Sequence, residues 1–132
     1  MIIKEIRIKN FRSYYGDNNR FELSNGLTLI LGDNGDGKTT FFDALLWLFN
    51  TTIDKGNIDH MSEMRKSKME IGEQDEVSVF MSFEHDGEKS VEKSFTVERV
   101  SEDFFRVGNL VYRGYETIGA ERVQVSGKTL ID

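Results

Sequence analysis

Apolar and polar positions change rhythm several times along the chain. Ile2 to Ile8 alternates in its second half, through Ile6, Arg7, Ile8 and Lys9, which predicts a first strand with one wet face. A polar loop follows over 10–19. Phe21 and Leu23 then predict a short strand ending at the turn signal Asn25-Gly26. Leu27, Leu29, Ile30 and Leu31 form a nearly continuous apolar run, the pattern of a strand covered on both faces in a parallel sheet. From Lys38 to Asn50 there is no glycine, and Phe41, Phe42, Ala44, Leu45, Leu46, Trp47, Leu48 and Phe49 make almost every side apolar. That predicts a buried helix interrupted only by Asp43.

The second half reads differently. Thr51 to Asn57 is a polar connector, and Ile58, Met61 and Met64 at helical spacing predict a short amphipathic helix over 58–68, its methionines serving packing. From Asp75 onward the period is two. Val77, Val79, Met81 and Phe83 share one strand face, Asp86-Gly87 signals a hairpin, and Val91, Phe95 and Val97 line the returning strand. Further strands are predicted over 104–107, 110–115 and 122–125.

Composition narrows the class. A chain of 132 residues has room for one domain. Without cysteine it can form neither disulfides nor thiolate metal sites, and its apolar runs are too short to span a bilayer. No signal-peptide pattern opens it, so a cytoplasmic location is expected. The net charge of −6, from 23 acidic and 17 basic residues, repels polyanions on average. Arg65, Lys66 and Lys68 are the best basic stripe, and three charges on an exposed helix read first as a solvated face.

Against this background one run carries chemistry. Gly32 to Thr39 reads Gly-Asp-Asn-Gly-Asp-Gly-Lys-Thr, a full G-x-x-x-x-G-K-[ST] phosphate loop, and it lies between a predicted strand and a predicted helix. Gly32, Gly35 and Gly37 let backbone N–H groups approach phosphate oxygens, and the helix N-terminus adds roughly half a positive charge. Lys38 is expected to reach the β- and γ-phosphates, Thr39 to ligate a magnesium ion, and Thr40 to meet the α-phosphate. The implied ligand is a nucleoside triphosphate with magnesium. Asp36 sits awkwardly beside such a ligand: at about 6 Å and an effective dielectric near 20, each like-charge pair costs roughly 3 kcal/mol, so an outward orientation is expected. Ser126-Gly127-Lys128-Thr129 repeats the last triplet but fails on spacing, because Arg122 stands where the first glycine is required. Gln124 reads as a strand residue.

No acidic strand suited to hold magnesium through water can be identified. Val79 to Glu84 is the one candidate, and its alternation marks a half-exposed strand. His60 and His85 read as surface residues. No catalytic residue is assigned.

The opening fifty residues resemble the N-terminal segment of the ABC-type ATPase heads of SMC proteins, RecF and RecN, the double-strand-break repair ATPase that partners a nuclease, and DndD-like restriction ATPases. The resemblance rests on Lys9-Asn10-Phe11-Arg12-Ser13-Tyr14, on Gly26 through Thr40, and on Phe42-Asp43-Ala44-Leu45. It implies an α/β fold, the N-terminal lobe of a P-loop NTPase head, with a mixed sheet around a buried P-loop helix and an antiparallel β-lobe. Residues 1–132 are then a single ATP-binding lobe, divided into a P-loop part over 1–74 and an antiparallel part over 75–132, and a piece of a longer coiled-coil ATPase.

Carried over by residue, the resemblance implies that Arg12 contacts ATP and that Asn34, Gly35, Asp36, Gly37, Lys38, Thr39 and Thr40 wrap its phosphates. Residues 68–70 lie near the adenine on the same basis. The implied partners are the C-terminal half of the head, a second head in an ATP-dependent dimer, DNA, and a nuclease, with no membrane. The implied role is DNA repair, recombination or defence against foreign DNA. The signature, the acidic magnesium strand and the catalytic glutamate of such heads are not identifiable here. Two alternatives stand beside this reading: a small self-contained P-loop NTPase or phosphotransferase, favoured if Glu84 or Asp86 lies beside the phosphate loop, and a non-hydrolytic interaction module.

Overall fold

The computed structural model describes residues 2–23, 35–50, 55–118 and 121–126, with backbone alone for 35–39, 117–118, 121–122 and 125–126. The predicted strand over 27–31, the start of the phosphate loop and most of the connector after the helix lie outside the described residues. So does the side-chain direction of Asp36.

One sheet organises the chain. Its strands are β1 (Ile2–Lys9), β2 (Asn19–Glu22), β3 (Gln74–Glu84), β4 (Glu88–Arg99), β5 (Phe105–Val107), β6 (Val111–Ile118) and β7 (Glu121–Ser126). The order is β2-β1-β3-β4-β6-β7, with β5 pairing β4 off this path. Every pairing among the described residues is antiparallel, where a mixed sheet was expected. The one run with a parallel-strand pattern is 27–31, so the described sheet has no parallel member to show.

A register shift between Ile3 and Glu5 explains why β1 alternates cleanly only in its second half. Ile3 faces Phe83 before the bulge, and Ile6 and Ile8 face Met81 and Val79 after it. The extra residue brings all three isoleucines to the core side. Its side chain, Lys4, pairs outward with Glu84 at 3.2 Å. The β3–β4 hairpin turns through His85, Asp86 and Gly87, with φ of +56° and +111° at the last two, as an Asp-Gly turn requires.

The inner face packs on α1 (Gly35–Phe49). Val77, Val79, Met81 and Phe83 of β3, Val91, Phe95 and Val97 of β4, and Phe41, Ala44, Leu45 and Leu48 of α1 are all buried in one cluster. Burying a side chain of this size is worth about 1.5–3 kcal/mol, so this two-layer contact is what fixes the helix on the sheet. The helix is not buried all round, as its composition suggested. Phe42 and Leu46 are 48% and 68% exposed, because the described chain supplies a covering layer on one side only.

The predicted helix over 58–68 is two pieces. A single 3₁₀ turn (Ile58–His60) ends at Met61, which is extended, bridges Phe11 and is fully buried. Ser62 then caps α2 (Glu63–Lys68), its Oγ accepting from Arg65 N. Met61 serves packing, while Met64 stands 54% exposed.

Candidate functional site

The loop after β1 is built around Asn10, which is buried. Its Nδ2 donates to Asp75 Oδ2 (3.1 Å) and the Glu76 carbonyl (3.0 Å), and its Oδ1 accepts from Gly16 N (3.0 Å). Its backbone carbonyl accepts from Ser62 N at 2.8 Å. One residue, through its side chain and its backbone carbonyl, thus ties together β3, the far end of its own loop and the cap of α2. Phe11 follows into the core, stacked on His60 at 5.5 Å and tilted against Trp47 at 5.4 Å.

This anchoring forces the next residue outward. Arg12 has φ of +50°, a left-handed conformation that costs an ordinary side chain about 1–2 kcal/mol, and it is held there by its N–H donating to the His60 carbonyl at 2.8 Å. Its guanidinium lies 3.8 Å from Asp43 of α1 and is half exposed. Ser13 Oγ donates to Thr40 Oγ1 at 3.1 Å. Arg12, Ser13 and Thr40 are therefore brought together at the first turns of α1. The helix begins at Gly35, so its unpaired N–H groups fall within the Gly-x-Gly-Lys-Thr run, although Asn34 and the side chains of Asp36, Lys38 and Thr39 lie outside the described set.

Arg12, Ser13 and Thr40 line an open groove of about 560 Å³ together with Tyr15, Met61, Ser62 and Met64 and with two acidic residues, Asp59 and Glu63. The guanidinium on its strained but fixed backbone, the hydroxyls and the helix N-terminus suit an anionic ligand, while the Asp59 and Glu63 carboxylates on the same lining oppose one. Among the described residues no cluster of three or more acidic or histidine side chains could hold a metal. Magnesium here would depend on Thr39, phosphate oxygens and water.

His60 is not the surface residue expected. It is wedged between Phe11 and Trp47, and its Nδ1 is buried without a hydrogen-bond partner among the described residues. Burial and then the positive charge of Arg12 lower its pKa, so the ring is held neutral behind the arginine. His85 is exposed in the hairpin turn, and Gln124 is exposed on β7.

The basic stripe is not a solvated face. Arg65 bonds Asp75 and Glu73, each at 2.6 Å, and Lys66 pairs with Glu63 at 2.5 Å. Burial pushes the Asp75 carboxyl up, but Arg65, the Glu76 N–H and Lys9 outweigh it and hold it below the usual range. Lys68 is exposed and places its ammonium 5.0 Å from the Tyr15 ring centroid. Glu84 pairs with Lys4 at the opposite end of β3 from Asn10 and is not among the residues lining this groove.

The far end of α1 is gripped by a residue that sequence reading passed over. Lys93 occupies an inward position of β4 between Val91 and Phe95 and is 1% exposed. Its Nζ donates to the carbonyls of Trp47 (2.8 Å) and Asn50 (2.7 Å) and sits over the rings of Trp47 and Tyr112. Tyr112 Oη donates to the Leu48 carbonyl. Burial pushes the Lys93 ammonium down to about 8, while the helix C-terminus attracts its charge. The available signal was a lysine in phase with Val91, Phe95 and Val97.

The AAA domain family profile matches residues 5–124. The chain is 37% identical over 65 residues to the DNA double-strand break repair Rad50 ATPase of Methanocaldococcus jannaschii, covering 42% of this chain and 6% of that protein. It is 33% identical over 86 residues to the DNA replication and repair protein RecF of Streptococcus uberis, covering 64% and 23%. Against the chromosome partition protein Smc of Fusobacterium nucleatum it is 40% identical over 48 residues, covering 36% and 4%. The matched segments thus span at most 23% of these three relatives' own lengths. With a profile match over nearly its whole length, the chain belongs to the AAA domain family and is a segment of an SMC-, RecF- and Rad50-type ATPase head.

Proposed function

We propose that the chain is the ATP-binding part of an SMC-like ATPase that acts on DNA in repair, recombination or chromosome maintenance. The observation that carries this reading is the meeting of Arg12 and Ser13 with the first turns of a helix that begins inside the Gly-x-Gly-Lys-Thr run. Lys38 and the loop N–H groups take the phosphates, Arg12 adds a second cation, and Thr39 and Thr40 supply hydroxyls from the first turn. A bound magnesium ion would neutralise phosphate charge near Asp36. The relatives' printed names, repair ATPase, replication and repair protein and chromosome partition protein, support the DNA role. Defence against foreign DNA rests on the resemblance alone.

In this reading the fragment binds nucleotide and turns it over only when the rest of the head joins it. The exposed Phe42 and Leu46 on α1 support a missing covering layer. A cytoplasmic location fits the absence, among the described residues, of a helix long and apolar enough to cross a membrane. The test is complementation: the chain alone should show negligible ATP turnover, and adding the C-terminal half of its parent should restore it. Sustained turnover by the pure chain, abolished by Lys38→Ala, would favour the self-contained NTPase instead.

A further inference from the structure

We infer that Asp43 competes with the nucleotide for Arg12: it holds the guanidinium against α1 until a phosphate takes it, and so lowers the affinity of the site. This rests on the ATP reading above and deepens it. From Phe41 to Phe49 Asp43 is the single polar residue of α1, and it stands three positions after Thr40, on the same face of the helix. Adjacent residues of the loop after β1 therefore meet adjacent turns. Ser13 Oγ donates to Thr40 Oγ1 at 3.1 Å, and Arg12 Nη1 lies 3.8 Å from Asp43 Oδ2. Among the described residues this is the one ion pair that either side chain makes.

The pair is not what docks the loop. Arg12 N donates to the His60 carbonyl at 2.8 Å, Asn10 is anchored on β3, and the Ser13–Thr40 contact carries no charge. Losing the ion pair thus frees a side chain and leaves its backbone in place. The separation of 3.8 Å is also about 1 Å longer than a charge-assisted hydrogen bond, so a phosphate that accepts from the guanidinium at full strength displaces the carboxylate. Magnitudes fix the sign. Pre-ordering an arginine through a long, exposed pair helps a ligand by at most about five-fold. Against that stand two effects of the carboxylate: its hold on Arg12 must be released before the guanidinium turns to a phosphate, and a negative charge beside an anionic ligand repels it. Asp59 and Glu63 add to the negative background of the groove, but neither forms an ion pair with Arg12.

The test is calorimetry of Mg-ATP binding to the 132-residue chain for wild type, Asp43→Asn, Asp43→Ala, Asp43→Glu, Arg12→Ala and the double variant Asp43→Asn/Arg12→Ala, with urea midpoints reporting that each is folded. Asp43→Asn and Asp43→Ala should tighten Mg-ATP about three-fold, the scale of an exposed ion pair, and the gain from Asp43→Asn should shrink when Arg12 is absent. Asp43→Glu keeps the charge and should bring no gain. Unchanged or weaker binding by the folded Asn and Ala variants overturns the inference and leaves the ATP reading standing. So does tightening by Asp43→Glu, or an equal gain with and without Arg12, which would mean that the carboxylate repels the phosphates directly. If neither wild type nor the Asp43 variants bind, the ATP reading falls and takes this inference with it.

Discussion

Asn10 and Arg12 are two residues apart, and both have positive φ, +54° and +50°. Asparagine tolerates that conformation and arginine does not, so the strain is concentrated on the residue that faces the groove. Three side-chain bonds make Asn10 the support. Asn10→Ala removes one donor from the half-buried Asp75 carboxylate and leaves the Glu76 carbonyl and the Gly16 N–H without their side-chain partner, and it should cost about 2 kcal/mol in a urea titration. Arg12→Ala should leave the urea midpoint almost unchanged, since its pair with Asp43 is exposed and long. It should weaken Mg-ATP roughly ten-fold by calorimetry, the scale of one charge-assisted hydrogen bond. The residue types at 10–14 were legible as a motif. The support role was not, because Asp75 and Glu76 lie some sixty-five positions away and meet Asn10 only through the β1–β3 pairing.

At the scale of elements, α1 is held at both ends by different parts of the sheet. Its first turns meet the loop after β1, and its last carbonyls are taken by Lys93 of β4 and Tyr112 of β6. The folded chain holds the Lys93 proton less tightly than the unfolded chain, whose value is near 10.5. Between about pH 8 and 10.5 the unfolded state then binds more protons, so this group makes stability rise with pH through that window. Urea midpoints at pH 7 and pH 9 should therefore show Lys93→Met losing more, relative to wild type, at pH 9. An equal loss at both values would mean that Lys93 is not desolvated.

Strand periodicity located β1, β3 and β4, because one buried face imposes a strict alternation. It missed the break at Met61–Ser62, where helical spacing of Ile58, Met61 and Met64 competed with a serine N-cap and an extended bridge to Phe11. The role of Lys93 is not legible in the sequence because its partners are carbonyls some forty-odd residues earlier, which no local pattern reports.

Over the whole molecule the net charge is −6, and Arg65 and Lys66 of the basic stripe are paired with Glu73, Asp75 and Glu63. What the chain itself offers is a helix that begins inside the Gly-x-Gly-Lys-Thr run, with Arg12 and Ser13 beside its first turns. The most direct measurement is isothermal titration of Mg-ATP into wild type and Lys38→Ala. Saturable heat with a dissociation constant below about 1 mM, lost in the variant, is the predicted result; a Kd of that size corresponds to roughly 4 kcal/mol. No heat from wild type at millimolar nucleotide, or equal heat from both proteins, would contradict the account and leave the idle interaction module as the reading.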